Sequence, residues 1–408
     1  MQTAPGRVGI PRRFFSDFSF SALIAGFTAV LIGYSSSAAI VLQAAYAVGA
    51  TESQAQTWLM SLGVAMGLLC VVMSLRTRAP ALFAWSTPGA ALMAAQPGVF
   101  TMQEAVGAFI VCSVLITAVG ASGLFARFAH KIPKQLASAM LAGILLKFGL
   151  VLFGSMHTAP TLILVMLAAY FVAKAVLPRF AVLAALGAGV ALELSMGWGP
   201  VASTSMHWIM PEVTRPTFTY SAIVGLALPL FIVTMASQNL PGVAVLKQNA
   251  YGVAISPLIT ATGVVGVLLA PFGAFALNLA AITAAICGGP EAHEDPSRRY
   301  VASVCAGWFY ILAGVLGSVV VVAFSMLSGT LVAAVAGIAL FGTLGAGLAD
   351  ALGPQNNREA ALITFLVAAS GVEFFGIGSA VWALCAGALC IAFSKGAERM
   401  AHRAAAAR

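Results

Sequence analysis

The sequence predicts an all-α polytopic membrane protein with 14 transmembrane segments, arranged as two inverted repeats of seven. The 408 residues are 61% hydrophobic and 8% charged, with a mean hydropathy of +1.00. Soluble domains carry about 25% charged residues. Apolar runs of roughly 20 residues, enough to cross the hydrocarbon core, recur to the end of the chain. The first such run is too long for the apolar region of a secretory signal.

Charge placement predicts the topology of these segments. If the N-terminus is cytoplasmic and the spans alternate, all of the 20 lysines and arginines except Arg215 and Lys147 lie on the cytoplasmic side. This is the positive-inside pattern, so the formal charge of +8 indicates topology and not a nucleic-acid partner. Both termini are then cytoplasmic. The predicted spans are 19–48, 55–75, the broken 80–96, 103–121, 134–154, 159–176, 180–197, 219–249, 255–270, the broken 271–288, 299–326, 329–350, 359–374 and 377–394.

The third span of each half contains the same interruption. Residues 80–92 and 271–283 each begin with proline, continue through six mostly apolar residues, reach a polar residue and end in small residues. Each predicts an extended segment that ends at a helix N-cap, near Ser86 and near Asn278, with Pro88 at the first helical position. Non-helical backbone is tolerated in a membrane only where protein or a water-filled cavity pairs its polar groups. We therefore expect the binding site near the midplane, between the two broken spans.

The two half-helix starts suit a carboxylate ligand. Free N–H groups and the positive ends of helix dipoles attract anions. The candidate ligand contacts are Ser86, Thr87, Pro88 and Gly89 at the first start, and Asn278 and Leu279 at the second.

Further polar candidates lie in the middle of other spans. Tyr34 and Ser36 belong to a run of four hydroxyl residues in the first span, and Gln238 and Asn239 precede Pro241 in the eighth. Such groups are costly at mid-membrane unless they are paired, so we favour a binding role. The alternative for the serines is a hydrogen bond back to their own helix.

Aromatic residues in the extended segments leave two interpretations open. Phe83, Trp85, Phe272 and Phe275 either form a wall for an aromatic ring or pack in the membrane core. The six cysteines include no CxxC pair and predict small buried apolar side chains.

Few charged residues lie within the spans. Glu373 follows Gly371 and precedes Phe374, and we expect its carboxylate to be desolvated and to relay protons. Glu104 is expected at the membrane interface, and Glu193 ends the seventh span. Lys147 either attracts an anion or extends to the outer interface.

No cofactor or metal is predicted from these residues. The acidic stretch from Glu291 to Asp295 predicts a solvated loop, because it has one imidazole, His293, and no cysteine. Lys147 shares a helical stripe with Ala139 and Gly143, spaced by four residues, and this small-residue face should pack on protein.

Five motifs are spread along the chain. They are Gly33-Tyr-Ser-Ser-Ser-Ala-Ala-Ile, Leu82-Phe-Ala-Trp-Ser-Thr-Pro-Gly-Ala-Ala-Leu, Ser237-Gln-Asn-Leu-Pro-Gly-Val-Ala-Val-Leu, Asn278-Leu-Ala-Ala-Ile-Thr-Ala-Ala-Ile and Gly289-Pro-Glu-Ala-His-Glu-Asp-Pro-Ser-Arg-Arg-Tyr. With these motifs the chain resembles the benzoate:proton symporter family of bacteria, and the resemblance covers nearly the whole chain. The family implies a fold similar to that of the uracil:proton symporters and the sulfate-type anion carriers. The core domain would then comprise residues 19–121 and 219–326, and the gate domain residues 134–197 and 329–394.

The resemblance and the residues together predict a secondary active transporter of the bacterial inner membrane. It would import benzoate or a close aromatic carboxylate with protons by alternating access. The chain departs from the uracil-type pattern, because Gln238, Asn239 and Asn278 stand in spans where those carriers have glutamates. The expected partners are the benzoate-like anion, protons and the lipid bilayer, with a homodimer allowed.

Two other function classes are alternatives to this prediction. An uncoupled anion channel, or a carrier of another small organic anion, has no sequence feature that separates it from a coupled transporter. An intramembrane enzyme would need an acid, base, nucleophile or metal constellation in the spans. The sequence contains no HExxH motif, no Gly-x-Ser-x-Gly elbow and no mid-span histidine.

Overall fold

The computed structural model describes residues 10–123, 134–196, 210–248, 251–290, 292–353, 357–374 and 379–406. In the first half of the chain the helices are α1 (Ile10–Asp17), α2 (Phe20–Ala47), α3 (Glu52–Thr77), α4 (Thr87–Ala94), α5 (Met102–Ala121), α6 (Lys134–Gly154), α7 (Pro160–Val176) and α8 (Ala181–Ser195). A two-residue strand, β1 (Phe83–Ala84), precedes α4.

The second half begins with a long helical run, α9, that changes type along its length. It consists of Tyr220–Ala222, the π-helical Ile223–Ala227, Leu228–Thr234, the π-helical Met235–Asn239 and Leu240–Gln248. Then follow α10 (Ile255–Leu269), β2 (Asn278–Leu279), α11 (Ile282–Gly288), α12 (Tyr300–Val315), α13 (Gly317–Ser325), α14 (Gly329–Leu352), α15 (Arg358–Ser370) and α16 (Ser379–Ala406).

These helices confirm a multi-pass, mostly helical membrane protein. Every predicted span contains at least one helix. By length and composition, 6 of the described helices could cross a membrane, or up to 8 if each of two bent helix pairs is one span. One of these pairs, α12 and α13, bends by 61°. Three shorter apolar helices, Pro160–Val176, Ala181–Ser195 and Ser379–Ser394, accompany them.

The two predicted extended segments exist, and they hydrogen-bond to each other. β1 and β2 form an antiparallel ribbon in which Phe83 lies opposite Leu279 and Ala84 opposite Asn278. The N–H of Ala280 adds a bond of 2.9 Å to the carbonyl of Leu82. This ribbon pairs backbone groups that would otherwise be unsatisfied inside a membrane. The sequence had not indicated the pairing.

Only one of the two predicted half-helix starts is confirmed. Ser86 is the N-cap of α4, its hydroxyl accepts a bond of 3.1 Å from the N–H of Gly89, and Pro88 lies in the first turn. The predicted start at Asn278 is wrong, because α11 begins at Ile282. Asn278 is held extended by the ribbon, so the helix forms only after the paired residues end.

Helix α3 holds both extended segments in place. The Ser74 hydroxyl donates to the carbonyl of Ala81 at 3.0 Å, and the Cys70 sulfur accepts from the N–H of Phe83 at 3.3 Å. On the other segment, the Ser61 hydroxyl donates to the carbonyl of Phe272 at 2.9 Å. Gly273 packs directly on the Trp58 ring at a φ of +88°, where a side chain would be strained and would overlap the indole.

The cysteines and the small-residue stripe fit their predictions with one exception. Cys70, Cys112, Cys287 and Cys305 are buried, whereas Cys385 is exposed and Cys390 half-buried. Those two lie on α16, which packs on α15 and α6 and leaves another face outward. On α6, Ala139 is buried, and a methyl group added at Gly143 would lie 2.5 Å from the carbonyl oxygen of Phe365 on α15. The stripe therefore packs on protein, as predicted.

Candidate functional site

The candidate site is built where the ribbon meets the middle of α2 and α9. Ser86 and Thr234 are fully buried, and the Thr234 hydroxyl lies 3.0 Å from that of Ser86. A methyl group at Gly89 would lie 2.4 Å from Leu230, so glycine permits α4 to approach α9 closely. Ser86 and Gly89 thus fasten α4 to α9. Thr234 was not singled out from the sequence, although it lies one helical turn before the amide pair.

Asn239 fastens β2 to α9. Its side-chain oxygen accepts from the N–H of Leu279 at 3.0 Å, and its Nδ2 lies 3.3 Å from the sulfur of Met235. Asn239 ends a π-helical turn, a distortion that is frequent at functional sites. Gly242 allows this contact, because a methyl group there would lie 2.6 Å from the Leu279 side chain. Gln238 is half-buried and lies in the same π-helical turn, directly before Asn239.

Two other predicted residues keep polar atoms without a protein partner. Asn278 is fully buried, and its Nδ2 donates to the carbonyl of Ala276 at 3.1 Å. Its Oδ1 has no partner, and neither has the buried hydroxyl of Tyr34. An unpaired buried polar group costs about 1–3 kcal/mol. These two groups can therefore form a further hydrogen bond with a ligand or a water molecule.

The aromatic residues divide between the site and the core. The Tyr34 ring meets Trp85 edge-to-face at 4.9 Å between centroids. Trp85 donates its indole N–H to Ser37 at 2.9 Å, and Ser37 in turn bonds back to the carbonyl of Gly33 at 2.7 Å. Trp85 directly follows Ala84, the ribbon partner of Asn278, so the aromatic pair lies beside the unpaired amide.

The remaining aromatic candidates have packing roles or lie at the edge. Phe275 is fully buried and packs 5.6 Å from both Trp58 and Phe109, measured between ring centroids. Phe83 is fully buried in β1, and Phe272 is half-buried. Thr87 is half-buried and Pro88 buried at the start of α4. The side chain of Ser36 lies outside the described residues.

The acidic residues occupy three different settings. Glu193 is buried, and its carboxylate accepts hydrogen bonds from both the hydroxyl and the backbone N–H of Ser328, the latter at 3.4 Å. These bonds connect α8 to the start of α14. The carboxylate of Glu104 accepts a hydrogen bond of 3.0 Å from the N–H of Thr101, as part of a capping box at the start of α5.

Glu373 departs from the predicted setting. The sequence predicted that its phenylalanine neighbours would desolvate it, but Glu373 and Phe374 are both exposed, because the chain after Gly371 leaves the helix. Glu373 instead lines a cavity of about 140 Å³ that Lys147 also lines.

The acidic loop shows hydrogen bonding within itself. Ser297 donates its hydroxyl and its N–H to Asp295, which lowers the pKa of that exposed carboxyl and keeps it ionised. Glu291 lies outside the described residues. Within the described part of the chain, no group of three or more histidine, cysteine or acidic side chains could hold a metal ion.

Comparison with protein families and curated relatives gives matches over almost the whole chain. A family model described as benzoate membrane transport protein matches residues 16–393. The chain is 46% identical over 368 residues to the inner membrane protein YdcO of Escherichia coli, covering 90% of this chain and 94% of that protein. It is 36% identical over 373 residues to the benzoate membrane transport protein of Acinetobacter baylyi, covering 91% and 95% of the two chains.

Solved structures with a similar fold are membrane transport proteins. The transmembrane domain of a cyanobacterial bicarbonate transporter, BicA, has a TM-score of 0.57 and 12% sequence identity to this chain. The match covers 90% of this chain and 97% of the BicA chain. SLC26A9 has a TM-score of 0.62 and 12% sequence identity to this chain. The match covers 94% of this chain and 66% of the SLC26A9 chain. At these identities the likeness concerns the fold alone.

We expect Asn239→Ala to destabilise the protein without a ligand. The change leaves the buried N–H of Leu279 unpaired, which costs about 1–3 kcal/mol. Thermal unfolding of the purified protein in detergent should show a lower midpoint than wild type. Ser394→Ala is the control, because its exposed hydroxyl bonds only to its own helix. An unchanged midpoint for Asn239→Ala would contradict the structural role assigned to this amide.

Proposed function

The chain belongs to the benzoate membrane transport protein family, and from this premise we propose that it imports benzoate or a close aromatic carboxylate by proton symport. It is a multi-pass membrane transport protein for a small anion and not an enzyme. Benzoate as the substrate and the proton as the coupling ion are the proposed steps beyond the family.

Two hydrogen-bond donors beside the ribbon support this proposal most directly. The Tyr34 hydroxyl is buried without a partner, and Asn278 uses one of its two amide hydrogens on Ala276. A carboxylate placed here accepts the Tyr34 hydroxyl proton and the second amide hydrogen. The N-terminal dipole of α4, which starts at Thr87, favours the same negative charge.

The surroundings suit the rest of an aromatic acid. The edge-to-face pair of Tyr34 and Trp85 offers an aromatic wall for the substrate ring. Residues 219–249 and 271–288 contain no acidic side chain, so no fixed negative charge repels the anion. Gln238 and Asn239 supply neutral amides on the neighbouring turn.

The proposed topology is supported by contacts at two opposite ends of the bundle. Asp17 lies 3.5 Å from Arg78 and 3.8 Å from Arg298, and all three are predicted to be cytoplasmic. Gln54 contacts Glu212 at 3.3 Å, joining segments predicted to be outside. We propose 14 spans in two inverted repeats, with both termini in the cytoplasm of a bacterial inner membrane. The homodimer remains a prediction.

Transport would proceed by movement of a core domain against a gate domain. The proposed core comprises residues 19–121 and 219–326, which contain the ribbon and its supports. The proposed gate comprises residues 134–197 and 329–394. Its two parts share a buried apolar cluster that includes Met166, Tyr170 and Val335, and Glu193 bonds to Ser328, the N-cap residue directly before the second part. These contacts support a gate that moves as a unit.

The proposal is tested most directly by uptake into proteoliposomes. Labelled benzoate should accumulate when a pH gradient, acidic outside, is imposed, and should only equilibrate without it. Uptake that ignores the gradient would identify an uncoupled channel or carrier. Absence of uptake, with uptake of another organic anion, would reassign the substrate.

Asn278→Ala should weaken benzoate binding by about 1–3 kcal/mol, because a buried hydrogen-bond partner is lost. Calorimetry on purified protein measures this, with thermal unfolding to show that the fold is intact. Asn278→Asp is the matched variant of similar shape, and its added negative charge should weaken binding further. Wild-type affinity in a folded Asn278→Ala protein would remove Asn278 from the site.

Substrate selection should follow charge and aromaticity. Aromatic monocarboxylates are expected to compete with labelled benzoate, whereas uracil and sulfate are not, since the site lacks acidic side chains for a nucleobase and presents an aromatic wall. Competition assays at equal concentrations measure this. Inhibition by uracil as strong as that by unlabelled benzoate would contradict the proposed site.

Glu373→Gln should abolish accumulation driven by a pH gradient. A benzoate anion that enters a cell with a negative interior moves uphill by about 2.3 kcal/mol per 100 mV, so accumulation needs an accompanying cation. Glu373 is an ionisable group at the junction of the proposed core and gate, and we propose it as the proton acceptor. The assay uses sodium-free vesicles, with Glu359→Gln as a control on the same span. Unchanged accumulation in Glu373→Gln would exclude Glu373 as the coupling residue.

A further inference from the structure

We propose that the cavity lined by Lys147 and Glu373 is a second carboxylate-binding site, on the path of the substrate toward the ribbon. In this site Lys147 binds the anion, and Glu373 competes for the same lysine until it is protonated. The inference rests on the proposed function and adds a site that is separate from the ribbon. The cavity lies between the residues that follow α4 and the helices α6, α15 and α16.

The cavity has the size and the walls for one aromatic ring. Its volume is about 140 Å³, and an apolar cavity of roughly 150 Å³ holds benzene. Val99, Ile144 and Ala368 supply apolar surface, while Gln96 and Ser379 add neutral polar groups. Gln96 donates to the carbonyl of Leu92 at 3.1 Å, and its Oε1 is buried without a partner. One wall of the cavity therefore has a polar atom that can form a hydrogen bond with a ligand or with a water molecule beside the ligand.

Lys147 is held with its charge directed to this cavity. A methyl group added at Gly371 would lie 2.6 Å from the Lys147 nitrogen, so the ammonium rests against the C-terminal end of α15. The helix dipole is negative there and favours a cation. The stripe of Ala139 and Gly143 packs α6 on protein, which keeps Lys147 between helices.

The charge of Lys147 has no fixed counter-ion in the described part of the chain. The ion pairs found there join Asp17 and Asp295 to arginines near the opposite end of the bundle. Glu373 shares the cavity with Lys147 without forming an ion pair within 4.0 Å. A substrate carboxylate is therefore free to pair with the ammonium.

Glu373 makes this second site sensitive to protons. Lys147 and Glu373 are the titratable groups among the described residues that line the cavity, and their charges are opposite. Ionised Glu373 lowers the positive potential that attracts the substrate, and protonation removes this competition. Binding of the proton and of the carboxylate then favour each other, as linkage requires.

The test measures the apparent KM for external labelled benzoate in vesicles of known orientation. Lys147→Gln should raise KM about tenfold, within the range by which a charged cleft concentrates its counter-ion. Lys147→Arg should restore much of the affinity. Glu373→Gln should do the opposite, lowering KM and removing its dependence on external pH. Lys174→Gln is the matched control, because Lys174 ends another gate helix and bonds to Tyr170 at 3.2 Å.

Opposite shifts in the two variants support the site, because a merely structural role would impair both. Unchanged KM in both variants, or a rise in both, overturns the inference while the ribbon site stands. If Lys147→Gln does not fold, Glu373→Gln decides alone, since its side chain is exposed. Wild-type vesicles that take up no aromatic carboxylate would instead refute the proposed function.

Discussion

The pairing of β1 with β2 is the interaction on which the rest of the structure depends. Breaking a helix inside a membrane leaves peptide groups that lipid cannot pair, and each costs several kcal/mol. Here the two breaks supply partners for each other, through Phe83 opposite Leu279 and Ala84 opposite Asn278. Helix α3 pairs further groups through Ser61 and Ser74, so both half-helices begin at positions set by the same ribbon.

The polar residues around the ribbon differ in whether their hydrogen bonds are complete. Ser86 and Asn239 pair with groups of the protein, and these bonds join α4 and β2 to α9. Tyr34 and Asn278 keep unpaired buried atoms. Hydrogen bonds within the protein stabilise it without a ligand, whereas an unpaired buried group costs free energy until a group of suitable polarity pairs with it. Ser86 and Asn239 therefore hold the candidate site together, and Tyr34 and Asn278 are the residues proposed to contact what it binds.

Sequence reasoning was reliable for local features and incomplete for long-range contacts. The extended segments and the Ser86 cap follow from residue type and near neighbours, and the structure has them, whereas Ser37 shows the return bond that was the less favoured alternative for the serines. The start of α11 at Ile282 depends on a partner strand almost 200 residues away in sequence, which no local pattern reports. The exposure of Glu373 likewise depends on where the chain turns after Gly371.

The placement of charge limits where a coupling proton could bind. The spans that surround the ribbon have no acidic side chain, which suits an anion but leaves no proton acceptor beside it. The buried carboxylate of Glu193 is committed to Ser328. A proton-coupled carrier with this ribbon must therefore bind its proton elsewhere, at a group whose surroundings change as the domains move. Under the proposed coupling, Glu373 would meet that requirement, because its cavity is formed jointly by residues after α4, in the proposed core, and by helices of the proposed gate.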